Sequence, residues 1–417
     1  MKILALVEDL RINTSSGGIC NSNFLSGLIK DGHQIDCYYD YAHSDDFPWL
    51  QSSLLKIKSI SSNQPSLLFK TICKIPKGDA IVVRLTGFTL EQNEKIKAWQ
   101  RSLKTALCEN EYDLILFLGA GNSMLNYFSI LGVKTTIPIM VNYHDPYPDN
   151  QYPAPYTGSN NRVAKIKTKK SNDIINKATI VSFPSMRLLE WMTQFHPALK
   201  YKSTVFPHVN GLLQDLPEIE EDIEVTLNEN RFNIVHAGSL LGSRNPEFLI
   251  RAFKKFIDGD EERRQKAILN IIGHIDRKNK VTEIDLNQYE TNIRLIRKRV
   301  SYKKSKEIFA KADVLLIIEA VGEDSPFMPG KLTDYIEAEK NIMALTPKKS
   351  EISRLFGDKY PYITETDNED GIYLILVTLW ELWKSKQKVI DVPPALKHYV
   401  SWENQNALLT ALFAENK

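Results

Sequence analysis

The sequence predicts an α/β chain made of two open, doubly wound parallel sheets. Three observations carry that prediction. The chain has 417 residues, more than the ~100–200 of one ordinary domain. Short runs rich in Val, Ile and Leu alternate with longer segments of helical period, the pattern of parallel strands joined by crossover helices. The alternation is interrupted between Gly211 and Asn230 by seven acids with no Lys or Arg, a composition suited to a linker between domains.

The first strand is Ile3–Val7. Its five apolar residues before Glu8-Asp9 fall short of the ~7–15 that a secretory core segment needs. Gln34–Tyr39, Ala80–Arg84, Asp113–Leu118, Pro138–Asn142, Thr179–Ser182 and Ser203–Phe206 follow as candidate strands of an N-terminal domain over residues 1–212. The linker is placed at 213–230 and is expected to be too charged to enter a core. Phe232–His236, Ile268–Gly273, Ile293–Ile296, Asp313–Ile317 and Asn341–Leu345 supply a second sheet over 231–399. The longest apolar run, Ile372–Trp383, is broken by Thr378 and Glu381 and is well under the ~20 residues that cross a bilayer. Trp402, Leu408, Leu409, Leu412 and Phe413 mark a last amphipathic helix within 400–417.

Composition narrows the function classes. The 43% hydrophobic, 25% charged and 10% aromatic content is that of a globular protein rather than a disordered or fibrous one. With 53 Lys+Arg against 51 Asp+Glu the formal charge is +2, so no net field favours nucleic acid and none is expected as a partner. Cys20, Cys37, Cys73 and Cys108 form no C-x-x-C pair and have no His at metal-ligand spacing, which reads as a reduced, cytoplasmic chain with no metal site.

Four stretches could carry chemistry. Gly17-Gly18, after the first strand and before a helical segment, suits either an anion held at a helix start or a tight β–α turn with no ligand. His144-Asp145, just past Pro138–Asn142, lies where ligands bind in such sheets, and an imidazole beside a carboxylate can bond a polar substrate or share a proton. The alternative for His144 is a loop-capping role. Gly238-Ser239 and Arg244 follow the strand Phe232–His236 and precede a helix from Glu247. A guanidinium there can clamp a diphosphate or simply be solvated. Finally, Ser325-Pro326-Phe327-Met328-Pro329-Gly330 leads into a helix that puts Lys331 and Asp334 on one face at i, i+3.

That last stretch, Ser325 through Asp334-Tyr335, resembles the S-P-F-M-P-x-K-L-x-E-Y signature of the retaining, nucleotide-sugar-dependent group-1 glycosyltransferases. Gly17-Gly18, His144-Asp145-Pro146, Ala237-Gly238-Ser239, Arg244-Asn245-Pro246-Glu247 and Ala312-Asp313-Val314 extend the resemblance over nearly the whole chain. It implies a GT-B fold: two Rossmann-like domains facing across a cleft, the acceptor on the first, the donor on the second, and the C-terminal helix crossing back to the first. Two positions depart from the pattern. Pro326 stands where many members have the first Glu of Glu-x7-Glu, with Glu323 or Asp324 as conceivable substitutes, and Ser239 stands where many have Arg.

The resemblance implies a hexosyltransferase-type enzyme that moves a sugar, with retention, from a nucleoside-diphosphate donor to a polysaccharide or lipid-linked oligosaccharide. Cell-surface glycan synthesis such as lipopolysaccharide or capsule would be its setting. Arg244 and Lys331 would stabilise the leaving diphosphate, His144 with Asp145 would orient the donor sugar, and Asp334 would hold the ribose. Gly17, Gly18, Gly238, Ser239, Ser325, Pro326, Phe327, Met328, Pro329 and Gly330 would line the nucleotide-sugar site. No metal or other cofactor is expected. The basic segment Arg162–Lys177 suggests peripheral contact with the anionic inner face of the cytoplasmic membrane, or a solvated helix face. A GT-B epimerase or phosphorylase, and a non-catalytic nucleotide- or glycan-binding subunit, are the competing readings.

Overall fold

A computed structural model of the chain describes residues 1–40, 47–60, 77–121, 124–219, 222–386 and 392–415. Cys73, Glu220, Glu221 and the side chain of Phe413 lie outside the described residues. The chain divides into two compact units, Met1–Tyr152 with Tyr156–Asp215, and Pro153–Pro155 with Leu216–Lys417.

The first unit runs β1 (Lys2–Val7), α1 (Ser16–Lys30), β2 (Gln34–Tyr39), β3 (Leu55–Ser59), α2 (Gly78–Thr86), α3 (Leu90–Glu109), β4 (Leu114–Leu118), β5 (Ile139–Asn142), α4 (Arg162–Lys177), β6 (Ile180–Phe183), α5 (Met186–Thr193) and β7 (Ser203–Val205). The strands form one sheet in the order β3-β2-β1-β4-β5-β6-β7. Pairing is parallel, with Ile3 set between Ile35 and Leu114. Residues 3–7 of β1 and all of β4 are buried, which is why both read as unbroken apolar runs rather than as alternating ones. Helix entries are capped locally: Thr89 and Gln92 form a reciprocal box at the start of α3, and the Ser185 hydroxyl accepts from the Leu188 N–H at the start of α5.

One expected strand is a helix. Ala80–Arg84 lies inside α2, where Gly87, at φ +86, closes the helix by donating its N–H to the Val83 carbonyl. β-propensity is a weak prior that local caps can override. The helix leaves Ile81 and Leu85 54% and 65% exposed, so the Ile-Val-Val run reflects surface chemistry rather than a sheet. Conversely, the lysine-rich β3 was not expected; it is a sheet edge, where alternating charge is tolerated.

The second unit runs β8 (Phe232–Ala237), α6 (Glu247–Asp258), α7 (Glu261–Lys266), β9 (Ala267–Ile272), β10 (Ile293–Ile296), α8 (Tyr302–Lys311), β11 (Val314–Ile318), β12 (Asp324–Ser325), α9 (Lys331–Glu337), β13 (Asn341–Leu345), β14 (Lys349–Ser350), α10 (Glu351–Phe356), β15 (Ile363–Thr364), α11 (Glu369–Lys384), α12 (Pro394–Tyr399) and α13 (Trp402–Glu415). Its main sheet has the order β10-β9-β8-β11-β13-β15, and β12 pairs with β14 as a separate ribbon. The apolar run near the C-terminus is α11, which buries Ile372, Ile375, Leu376, Leu379 and Trp380. The last helix, α13, packs against α12, buries Trp402 and Leu409, and groups with the second unit.

The acidic stretch does reach a core. Val225 and Leu227 are buried in the apolar cluster of the second unit, with Ile223 packed against it. The acids there alternate with apolar residues, so the extended chain turns Val225 and Leu227 inward while Glu224 and Glu229 remain partly or fully exposed. No helix among the described residues is long and apolar enough to cross a membrane.

Candidate functional sites

In each sheet the strand order reverses beside the first strand, between β1 and β4 and between β8 and β11. Loops leaving the carboxyl ends of strands at such a point diverge and open a crevice, the usual place for a ligand in this architecture. In the second unit these loops carry Gly238–Arg244 and Ser325–Gly330, the two stretches singled out from the sequence.

Lys331, at the start of α9, reaches back to the end of β8, where its Nζ lies 3.3 Å from His236 Nε2. The other ring nitrogen, Nδ1, lies 3.0 Å from the Leu316 carbonyl. A carbonyl only accepts, so Nδ1 carries the proton and Nε2 accepts from the lysine. Burial, then the neighbouring Lys331 and Arg244 charges, hold His236 well below its usual range and keep it neutral. Burial, reinforced by Arg244 and opposed by Asp334, also pushes the Lys331 ammonium down to about 7. Gly238 makes this approach possible: it adopts φ +149, and a Cβ there would lie 2.5 Å from Lys331 Nζ. Gly273, at φ +138, is packed so closely that a Cβ would overlap the Gly238 carbonyl oxygen. Two glycines thus let the backbones meet beneath the ammonium.

Arg244 sits in a turn, its N–H donating to Leu241 O at 2.9 Å. Asn279 Nδ2 donates to both the Leu241 and Arg244 carbonyls at 2.9 Å and fixes that turn. The Arg244 charge acts on Lys331, His236 and Glu319 alike. At Ser239, where the family resemblance would favour Arg, a guanidinium arrives from elsewhere: Arg299 Nη2 donates to Ser239 Oγ at 3.3 Å. The unit therefore gathers two cations, Lys331 and Arg244, around the ends of β8 and β11, with a third at Ser239.

The loop after β11 is held by a buried acid. Glu319 is 3% exposed; its Oε1 accepts from Ser325 Oγ at 2.7 Å and its Oε2 from the Thr346 hydroxyl. Burial raises its pKa, against the two hydroxyls and the Arg244 charge. The pairing of Ser325 with Ser350 in the β12–β14 ribbon anchors the same point from the other side. Phe327 and Met328 are buried, Met328 within the core cluster. Pro326 is buried as well, whereas Pro329 and Gly330 are half-buried. Of the two acids expected as substitutes near Pro326, Glu323 is exposed and Asp324 half-buried. Asp334 is 8% exposed and accepts from Tyr302 Oη at 2.8 Å, so one of its oxygens is oriented by the protein itself.

In the first unit the glycine pair answers to packing. A Cβ on Gly18 would overlap the Arg11 carbonyl, and one on Gly17 would lie 2.9 Å from Ala120 Cα. The Ser15 hydroxyl caps α1 by accepting from the Gly18 N–H at 3.2 Å. The tight-turn reading thus accounts for both glycines. Asn21, one helical turn on, donates from Nδ2 to the Asp9 and Gly119 carbonyls at 2.9 Å each. Its Oδ1 faces His144 Nε2 at 3.1 Å. His144 lies against His208, ring centroids 5.3 Å apart, and burial lowers its pKa to about 4. Asp145 lies nearby, its Oδ2 3.3 Å from the place a Cβ on Gly121 would occupy.

Compared by sequence, the chain matches no protein-family model and no curated protein. Compared by structure, it is similar over its full length to HepE of Anabaena in complex with UDP, at 13% identity, 100% of both chains and a TM-score of 0.58. It has the GT-B fold. Similar, too, are a glycosyltransferase of Rickettsia africae (12% identity, 99% of this chain and 98% of that one, TM-score 0.60) and an Escherichia coli protein described as trehalose-6-phosphate bound with UDP-2-fluoro glucose (12%, 99% of both, 0.58).

His236, Gly273, Glu319, Asn279, Arg299 and His208 were not singled out from the sequence. Only Gly273, immediately after an apolar run, carried a local signal, that of a backbone-approach glycine at a strand end.

Proposed function

We propose that this protein is a nucleotide-sugar-dependent glycosyltransferase that uses a UDP-sugar and retains anomeric configuration. One observation carries the reading above the others: Lys331 and Arg244, drawn together at the reversal point of the second sheet with the Lys331 ammonium largely desolvated. Two cations held close in a low-dielectric site raise each other's energy, and a diphosphate relieves that cost. Their arrangement suits the stage of reaction at which the glycosidic bond breaks and negative charge builds on the leaving group. Asp334, oriented by Tyr302, is suited to accept from ribose hydroxyls. His144, neutral, would bond a hydroxyl of the donor sugar with Asp145 beside it. Ser239 and the Ser325–Gly330 backbone would line the nucleotide side. Gly17 and Gly18 contribute through the shape of their turn. Charge neutralisation by side chains leaves no role for a metal at the diphosphate.

The acceptor is proposed to be a glycan or lipid-linked saccharide. Exposed Arg162, Lys165 and Lys169 on α4, beside exposed Ile81 and Leu85 on the adjoining α2, form a face suited to an anionic lipid surface. Lys177 is excluded from it, since its Nζ donates to the Ile130 and Val133 carbonyls. The test is to incubate UDP-sugars with saccharide, sugar-phosphate and lipid-linked acceptors and to follow UDP release. Release that requires an acceptor supports transfer. Saturable UDP binding without turnover on any acceptor would favour a non-catalytic binding subunit.

A further inference from the structure

The first unit brings together three side chains that sequence spacing does not connect: Cys20 on α1, His144 in the loop after β5 and His208 in the segment after β7. One ligand atom from each lies within 4.8 Å of the others, and all three side chains are half-buried. We propose that Cys20, His144 and His208 form a three-ligand site for a borderline-soft divalent cation of the zinc class, with a fourth position left for water or an exogenous ligand.

Two further observations support it. The first is the tautomer of His144. Asn21 Nδ2 is committed to two carbonyls, so the amide oxygen is the atom facing His144, and Nε2 must donate to it. The lone pair of the neutral ring is then on Nδ1. An imidazole whose far N–H is held by an oriented acceptor is the arrangement by which proteins aim a metal-ligating histidine.

The second is the spacing of the rings. A metal at ~2.0–2.1 Å from a ring nitrogen lies roughly 3.2 Å from the ring centroid. Two imidazoles at a tetrahedral angle therefore have centroids about 5.2 Å apart. The observed separation is 5.3 Å, with the ring planes stacked at 25° to one another, so one imidazole has to turn about its side-chain torsions to aim its lone pair at a shared cation. Occupied tetrahedra have ligand atoms roughly 3.3–3.5 Å apart, so closing the set from its upper limit of 4.8 Å asks for about 1.3–1.5 Å. Rotation about Cys20 χ1 and about the side-chain torsions of the two histidines would together supply that movement.

The donor set also decides the cation. One thiolate and two imidazoles suit Zn²⁺, and they are poor partners for Mg²⁺ or Ca²⁺, which take oxygen. The proposed site is therefore chemically unlike a diphosphate-bound magnesium; it takes the His144 nitrogen that the transferase reading offers to the donor sugar, so a cation there and that sugar contact exclude each other.

The test uses the full chain, stripped of metal with a chelator. Co²⁺ should bind in one equivalent, with intense tetrahedral d–d bands and a thiolate-to-cobalt charge-transfer band in the near ultraviolet. Zn²⁺ should displace it and raise the melting temperature. Cys20→Ser should abolish the charge-transfer band and weaken Zn²⁺ binding, measured against a chromophoric chelator, by more than about tenfold, since loss of an outer partner alone costs that much. His208→Gln should weaken Zn²⁺ equally while keeping the charge-transfer band at high Co²⁺. A cobalt spectrum without thiolate charge transfer, or equal Zn²⁺ affinity in wild type and Cys20→Ser, overturns the site. If Cys20→Ser fails to fold, the wild-type cobalt spectrum and His208→Gln decide.

Discussion

Lys331 makes nucleotide binding sensitive to pH in a defined direction. Without ligand its ammonium titrates at about 7; opposite a diphosphate it should return toward the ordinary value of ~10.4. The charged form that binds is present below pH 7 and is lost as pH rises. From pH 7 to pH 8.5 the charged fraction falls from about one half to roughly 0.03, so UDP affinity should weaken about 15-fold, or about 1.6 kcal/mol. The phosphate's own second ionisation, at ~6, is mostly complete over this window. His236, held neutral throughout, contributes no slope, and Arg244 stays charged. Calorimetric titration of UDP at several pH values, in buffers of different ionisation heat, reads both the slope and the uptake of close to one proton at pH 8.5. Lys331→Met should bind more weakly, by about 1.5–3 kcal/mol at pH 7, and with a flat profile. A wild-type affinity independent of pH, or a slope that survives in Lys331→Met, would refute the argument.

The stability of the unliganded protein should move the other way. Burying the ammonium opposes folding, and that opposition is relieved as pH rises from about 7 toward the unfolded value, so the melting temperature without UDP should increase over this range and Lys331→Met should melt higher than wild type at pH 6.5. Arg244→Ala should lower kcat/KM by roughly 2–4 kcal/mol with an unchanged melting curve; wild-type turnover would make Arg244 a surface cation. Arg299→Gln, at an exposed position, should weaken UDP by only about 0.5–1 kcal/mol, which a binding isotherm can resolve. Turnover should persist in excess EDTA, and a requirement for Mg²⁺ or Mn²⁺ would break the metal-free account of the diphosphate site. Glu319→Ala, which leaves the Ser325 and Thr346 hydroxyls without their acceptor, should cost about 2–3 kcal/mol in denaturant unfolding.

The parts of this architecture that can be read in sequence are those whose physics is local. β1, β4, β8 and β11 are buried on both faces, and a strand so placed has to be apolar throughout. The helix that carries Lys331 and Asp334 shows its period, so the two residues could be placed on one face before any fold was known. Ala80–Arg84 misled because β-branched residues describe a preference for pleated surfaces, while glycine and capping geometry decided the segment. Val225 and Leu227 were hidden by the acids on either side of them. His236 was out of reach for another reason. A histidine at the end of a strand carries no pattern, and its partners Leu316 and Lys331 are 80 and 95 residues away. Arg299 at Ser239 likewise fills a spatial position that the sequence shows as vacant.

The clasp of Ser325 and Thr346 on Glu319, with the short ribbon beside it, has a thermodynamic consequence. A loop tied to its own strand end and to a neighbouring strand has already given up its conformational freedom during folding. Nucleotide binding in the second unit should therefore order few residues. Its heat-capacity change should then scale with the surface of the ligand rather than with that of a folding segment. Cutting the clasp would shift this ordering from the folding reaction to the binding reaction. The Glu319→Ala variant should accordingly bind UDP with a more favourable enthalpy, a larger entropic penalty and a more negative heat-capacity change than wild type.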